Sequence, residues 1–393
     1  MELKAGYKQT EIGLIPSDWG VKELGDLSEK IMVGIASAAT HAYRDKGIVL
    51  FRNQNIKRNY LDDNDILFVT EEYEQIFKGK RLKSGDLLTA RTGYPGTTCI
   101  IPKQYENAQS FTTLITRPNT KAIESDFLCF YMNSEKGQSF FETNQIGGGQ
   151  KNVNAGTLKI MPIPIPTKTE QTLIATALSD ADALISSLEK LIAKKRNIKQ
   201  GAMQKLLQPK EGWEVKKLGE IAFVNMGQSP LSQFYNSEEI GLPLVQGNAD
   251  VENRKTIIRF YTSMITKKGK VGDIIMSVRA PVGEISKATF DCCLGRGVCS
   301  ISFDNEYLYH YLIYFEKSWA KLSTGSTFDS VNSKQVKELE IPIPKSKEEQ
   351  TRIATILSDM DTEITALETK LEKYKKVKLG MMQNLLTGKI RLV

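Results

Sequence analysis

Residues 171–207, QTLIATALSDADALISSLEKLIAKKRNIKQGAMQKLL, return at 350–386 as QTRIATILSDMDTEITALETKLEKYKKVKLGMMQNLL, aligned without a gap and identical at about half the positions. A match of this length marks an internal duplication, which dictates how the rest of the chain is parsed. Each copy follows a proline phrase, IPIPTKTEQ from Ile163 and IPIPKSKEEQ from Ile341. Proline lacks an amide proton and pushes the residue before it out of the α region, so the phrase is extended and the helix starts only after it. Further upstream, SDWGVKELGDL around Trp19 matches EGWEVKKLGEI around Trp213, and KSGDLLTARTGYPG around Asp86 matches KVGDIIMSVRAPVG around Asp273. The order predicts a block at 1–166, a helix at 167–208, a second block at 209–345 and a second helix at 346–393.

The helical repeats carry a coiled-coil stripe. Leu357, Met360, Ile364, Leu367, Leu371 and Tyr374 recur in alternating steps of three and four, and Leu178, Ala181, Ile185, Leu188 and Ile192 occupy the equivalent positions until the pattern weakens at Lys195. About 36 residues at 1.5 Å each gives a rod of about 55 Å. A single stripe needs a single partner, and the other copy is the nearest one, tethered at high effective concentration. Antiparallel pairing would place the blocks at opposite ends with pseudo-two-fold symmetry; parallel pairing would place them side by side. Packing of each helix on its own block is the alternative. Most of the cations crowding the later half of each helix, Lys190 to Lys199 and Lys370 to Lys378, read as solvated face, with a minority open to phosphates or an acidic partner subunit.

Composition narrows the class. The chain has 393 residues, of which 40% are hydrophobic and 25% charged, enough for two cores. No stretch has the length to span a bilayer, and charges in MELKAGYKQTEIG argue against a secretion signal. Five cysteines, Cys99, Cys129, Cys292, Cys293 and Cys299, form no CxxC pair and point to a reducing cytoplasm rather than a disulfide framework. With two histidines only, His41 and His310, there is no material for a zinc site or a histidine-based triad, so no metal and no catalytic residue is expected. A net charge of +7 permits nucleic acid without requiring it.

Both blocks mix short β-like runs with turn signals and end in a short helix, FLCFYMNSEK or YLYHYLIYFEK, which predicts α+β domains. Three loops in each stand out. After the first strand come Arg52, Asn53 and Asn55 in one block and Gln246 and Asn248 in the other, whose amide and guanidinium groups suit adenine and guanine edges. At the end of the GD strand come Arg91, with Thr92 and Tyr94 behind it, and Arg279; such an arginine can read guanine, clamp a phosphate or hold its own loop by internal pairing. Before the proline phrase, GGGQKNVN with Gln150, Lys151 and Asn152, and TGSTFDSVN with Ser326 and Thr327, offer small residues that let backbone approach a phosphate. A plain linker is the other reading of that loop.

Taken together, YKQTEIGLIPSDW, GDLLTART and GDIIMSVRA, the two IPIP phrases each followed by EQ and a long helix, and LLTGKI resemble type I restriction-modification specificity subunits over essentially the whole chain. The resemblance implies two target recognition domains, each reading one half of a split sequence in double-stranded DNA, held apart by conserved helices that pair antiparallel. It implies two methyltransferase subunits and restriction subunits as partners, with S-adenosylmethionine, ATP and magnesium bound by those partners. Consistently, there is no Asn/Asp-Pro-Pro-aromatic tetrapeptide, no Gly-rich cofactor loop after a strand and no P-loop. Because the blocks differ outside the shared phrases, the half-sites should differ. The rival classes are a coiled-coil assembly scaffold that binds protein only, a self-contained enzyme, and the specificity subunit of a related system with fused methylase and nuclease.

Overall fold

The computed structural model describes residues 5–145, 152–322 and 330–392. The chain divides into two compact units, Met1–Glu189 with Lys370–Val393, and Lys190–Thr369. The division therefore falls inside both long helices, Lys168–Leu206 and Lys347–Leu385, each of 39 residues. Each unit is a recognition block together with one half of either helix.

In the first unit an antiparallel sheet of four strands runs Thr98–Ile100, Leu87–Thr89, Leu114–Pro118, Ser28–Val33. A second sheet runs Gln109–Ser110, Ile48–Phe51, Leu67–Val69, Tyr43–Arg44, its first pair parallel. Apolar residues of the GD strand face both ways: Leu87 joins the core built on Trp19 and Phe127, and Leu88 joins a second core with Phe51 and Cys99. The aspartate shared by the two GD phrases has a structural task in this unit. Asp86 is buried, caps the Lys83 amide and takes a two-point bond from Arg117. Two helices follow, Ser125–Asn133 and Glu135–Thr143, where the sequence suggested one; Ser134 breaks the run and caps the second by accepting the Gly137 amide.

The second unit repeats the plan with a six-stranded sheet containing Phe223–Met226, Val298–Ser302 and Ile274–Ser277, and a five-stranded sheet containing Leu242–Val245 and Cys292–Leu294. One helix, Tyr307–Leu322, closes the block. In both units the proline phrase is a paired strand and more than a lead-in. Pro162–Ile165 lies antiparallel to Gly20–Glu23, and Glu340–Pro344 to Trp213–Lys217. All five cysteines are free and buried.

The long helices pair with each other, antiparallel, inside each unit. In the first, Asp182 meets Lys378 and Glu189 meets Lys375, so one helix ascends as the other descends. In the second, Lys199 meets Asp361, Lys195 meets Glu363 and Arg196 meets Glu368. The stripe residues Leu178, Leu188, Ile192, Leu357, Ile364 and Leu371 are buried, and Ile185, Met360, Leu367 and Tyr374 are half-buried. The seam also continues into the block cores: Ile174, Leu178 and Leu386 belong to the first core, Met203, Leu207, Ile353 and Leu357 to the second. Several of the helix cations are paired across the seam: Arg196 and Lys375 remain on the solvated face while doing so, whereas Lys195, Lys199 and Lys378 are half-buried, which corrects the expectation of a solvated face for those three. No helix among the described residues is long and apolar enough to cross a membrane.

Candidate nucleic-acid interface

Three loops far apart in sequence meet at one place in the first unit. Asn53, just beyond the strand Ile48–Phe51, accepts the Arg91 amide on its Oδ1 at 2.8 Å and donates from Nδ2 to Thr112. Arg91 in turn donates from Nε to Asn152 Oδ1 at 3.3 Å, and its carbonyl accepts the Val153 amide. Asn53 and Asn152 thus position Arg91. The two terminal nitrogens of its guanidinium have no hydrogen-bond or ion-pair partner among the described residues, which leaves a planar two-pronged donor for an acceptor pair such as guanine O6 and N7, or for a phosphate.

The Arg91–Gly96 loop is held by its own backbone. Ala90 and Thr97 are bonded to each other, Gly96 bonds back to Ala90, and Gly93 and Gly96 sit at φ of +78° and +92°, where a side chain would be strained. Gly96 also has no room for one: an added Cβ would lie 2.3 Å from the Phe141 ring. The result is a preformed finger with Thr92 half-buried and Tyr94 at its tip, 84% exposed.

Not every residue singled out from sequence faces outward. Asn55, expected at a base edge, is only 2% exposed. Its Oδ1 accepts the Arg52 amide, and its Nδ2 donates to the carbonyls of Asp62 and Asp65, so it braces the loop and has no edge left for a base. Arg52 is partly withdrawn, one guanidinium nitrogen bonded to the Asp65 carboxylate at 2.9 Å. Gln150 and Lys151 lie outside the described residues.

The second unit repeats the convergence with partly different side chains. Gln246 and Gly247 present their amides to the buried Asp250, which takes the bracing role that Asn55 has in the first unit. Asn248 reaches the Pro281 carbonyl at 3.5 Å, which ties this loop to the one after the GD strand. Arg279 is exposed, its backbone bridged to Ser330 at the end of the third loop, with no side-chain partner among the described residues. Gln246 is half-buried beside Gly295 and Gly297, whose absent side chains leave space for it. Ser326 and Thr327 lie outside the described residues. Asp250, Asp65 and Thr112 are the site residues that pattern reading missed. An acidic side chain three and four residues after the backbone amides that follow a strand, the habit of a cap, is the signal that points to the first.

Two copies of one architecture, each presenting a half-committed loop cluster with an available arginine, define a duplicated recognition protein. The family model for the type I restriction modification DNA specificity domain matches twice, over residues 16–200 and 210–377. The chain belongs to that family. It is 33% identical to a chain of Methanocaldococcus jannaschii provisionally named the type I restriction enzyme MjaX specificity subunit, over 98% of this chain and 97% of the relative. It is 24% identical to the type I restriction enzyme MjaVIII specificity subunit of the same organism, over 96% of this chain and 94% of that one. Among solved structures it shares its fold with the type I restriction-modification S subunit from M. genitalium, at a TM-score of 0.65 and 16% identity, covering 98% of each chain. A chain solved in work on complex assembly and conformational transition of the type I R-M system gives 0.58 at 22% identity, covering 96% of this chain and 99% of that one.

Proposed function

We propose that each unit reads one half of an asymmetric, split target in double-stranded DNA, and that the paired helices fix the distance and angle between the two readings. The observation that carries this is the three-loop convergence, Asn53–Arg91–Asn152 in one unit and Asn248–Pro281 with Arg279–Ser330 in the other, built at matching positions of the repeat around an arginine common to both, with Asn152 answered by Ser330 and the brace Asn55 by Asp250. Matching placement supports a common task, and unlike chemistry supports unlike half-sites. Reading heads in successive major grooves on one face would have centres about 10 base pairs apart.

The subunit itself performs no chemistry in this reading. Two methyltransferase subunits dock on it and restriction subunits join them in the cytoplasm, and S-adenosylmethionine, ATP and magnesium are bound by those partners. The test is to map methylated adenines in cells with and without this chain. Loss of a split motif on deletion is expected, and exchange of the first block for that of a relative should change one half of the motif only. A motif indifferent to the deletion, or one changed in both halves by the exchange, overturns the reading.

A further inference from the structure

A cleft of about 840 Å³ opens in the first unit between the recognition block and the last part of the second long helix. Its walls carry Arg58, Lys136, Lys375, Lys378 and Lys389 against a single acid, Glu135. Two of these cations are already neutralised, Lys375 by Glu189 and Lys378 by Asp182. The other three are exposed and have no ion-pair partner among the described residues. They also come from three separate places: Arg58 from the turn between Ile56–Lys57 and Tyr60–Leu61, Lys136 from the start of the helix Glu135–Thr143, and Lys389 from the segment after Lys347–Leu385. Three unpaired cations facing one cavity repel one another, a cost that an anion removes.

The cleft lies one side chain away from the reading loop. Gln138 lines it, and the same side chain donates from Nε2 to the carbonyl of Gly96, the residue that closes the Arg91–Gly96 finger. A nucleic-acid strand whose bases lie at that finger would therefore carry its next phosphates toward the cleft. An acidic protein segment would have no reason to lie in register with the finger.

We propose that Arg58, Lys136 and Lys389 form a phosphate-binding track for the sugar-phosphate backbone of the duplex that flanks the half-site read by the first unit. This rests on the reading of function above and adds a binding surface to it. The track positions and does not specify: point charges on phosphates carry no base information.

The test uses the full chain assembled with its methyltransferase partners and a duplex carrying the motif mapped in cells. For the triple variant Arg58→Gln, Lys136→Gln, Lys389→Gln, the slope of log K against log salt should become shallower by about 0.9 for each phosphate that is no longer neutralised, with the motif unchanged. The charge-preserving variant Arg58→Lys, Lys136→Arg, Lys389→Arg should keep the original slope. Thermal denaturation of the triple variant should match the unaltered protein, since all three side chains are exposed. An unchanged slope overturns the proposal, as does a triple variant that binds DNA normally but no longer assembles with its partners, which would make the cleft a protein-docking surface. The two readings fail separately: an unaltered complex without motif preference refutes the functional reading, whereas an unchanged slope in a motif-preferring complex refutes the track alone.

Discussion

Asp182 of the first long helix accepts from Lys378 of the second, and the repeat-equivalents of these two residues, Asp361 and Lys199, are paired as well, with the helices exchanged. Glu189 with Lys375 and Glu368 with Arg196 obey the same swap. Residue i meeting j while the copy of j meets the copy of i is the signature of a self-complementary contact. The duplicated helices are thus built to recognise each other, and the charges fix an antiparallel register that the apolar stripe alone leaves open.

Asp182→Lys should destabilise the first unit by about 1 kcal/mol, and adding Lys378→Asp should restore most of it, because the pair is partly shielded from solvent. Chemical denaturation of the two single variants and the double gives the coupling. Additive single effects would mean that the pair contributes nothing.

Leu357 is fully buried in the seam, and its neighbour Ile356 is 37% exposed. Leu357→Ala should cost about 2–5 kcal/mol through reduced burial and the cavity left behind, against less than about 1 kcal/mol for Ile356→Ala. Equal shifts in the unfolding midpoints of the two would contradict the assigned stripe.

Glu170 is 1% exposed and shares the Arg391 guanidinium with Asp18, while also accepting from the Trp19 indole. Arg391 holds the Asp18 carboxyl below the usual carboxylate range. Arg391→Ala leaves a buried carboxylate without its cation, and a loss of about 2–4 kcal/mol is expected, discounted for the partial exposure of the arginine. Arg391→Lys should recover part of the loss by charge without restoring the forked geometry. A melting temperature unmoved by either substitution would show that the clamp adds no stability.

His310 sits 1% exposed under the second long helix, its Nε2 2.9 Å from Ser358 Oγ and its Nδ1 3.9 Å from Asp361. Burial first, then the nearby Lys199, pushes its pKa down to about 4 against an ordinary 6.5. Between those values the unfolded chain binds a proton that the folded one does not, so stability falls as pH drops from about 6.5 toward 4, by up to about 3 kcal/mol. Unfolding followed over that range should show a shallower decline in His310→Gln. Parallel curves for the two proteins would show that this imidazole does not govern the acid limb.

Arg91→Ala should relax base preference in one half of the methylated motif and Arg279→Ala in the other, each by about 1–3 kcal/mol if the guanidinium reads a guanine. Uniform weakening with both halves intact would place the arginines on phosphates instead. Methylation mapping of the two variants separates the outcomes.

The duplication, the seam and the strand-to-loop position of Arg91 and Arg279 are legible in the sequence because each is a local or periodic pattern. Helix length is nearly so, about 36 residues expected and 39 found. What local pattern cannot carry is a partner far along the chain. Asn53 meets Arg91 across 38 positions and Arg91 meets Asn152 across 61, so the convergence of the three loops exists only after folding. The same holds for Lys199, whose carboxylate lies 162 positions away, and which therefore looks solvated when read alone. Asn55 misleads in the opposite direction: an amide in a polar loop has the composition of a reading residue, and its burial follows from carbonyls at Asp62 and Asp65 that turn back onto it.

The pairing of Gly20–Glu23 with Pro162–Ile165, extended by the bond from the Leu24 amide to the Met161 carbonyl, brings the two ends of everything between them to adjacent strands. Neighbouring strands lie about 4.8 Å apart. A foreign module spliced between residues 24 and 161 must therefore bring its own termini that close and also supply an apolar face to cover Ile174, Leu178 and Leu386, and Trp213–Lys217 with Glu340–Pro344 forms a second socket of the same gauge.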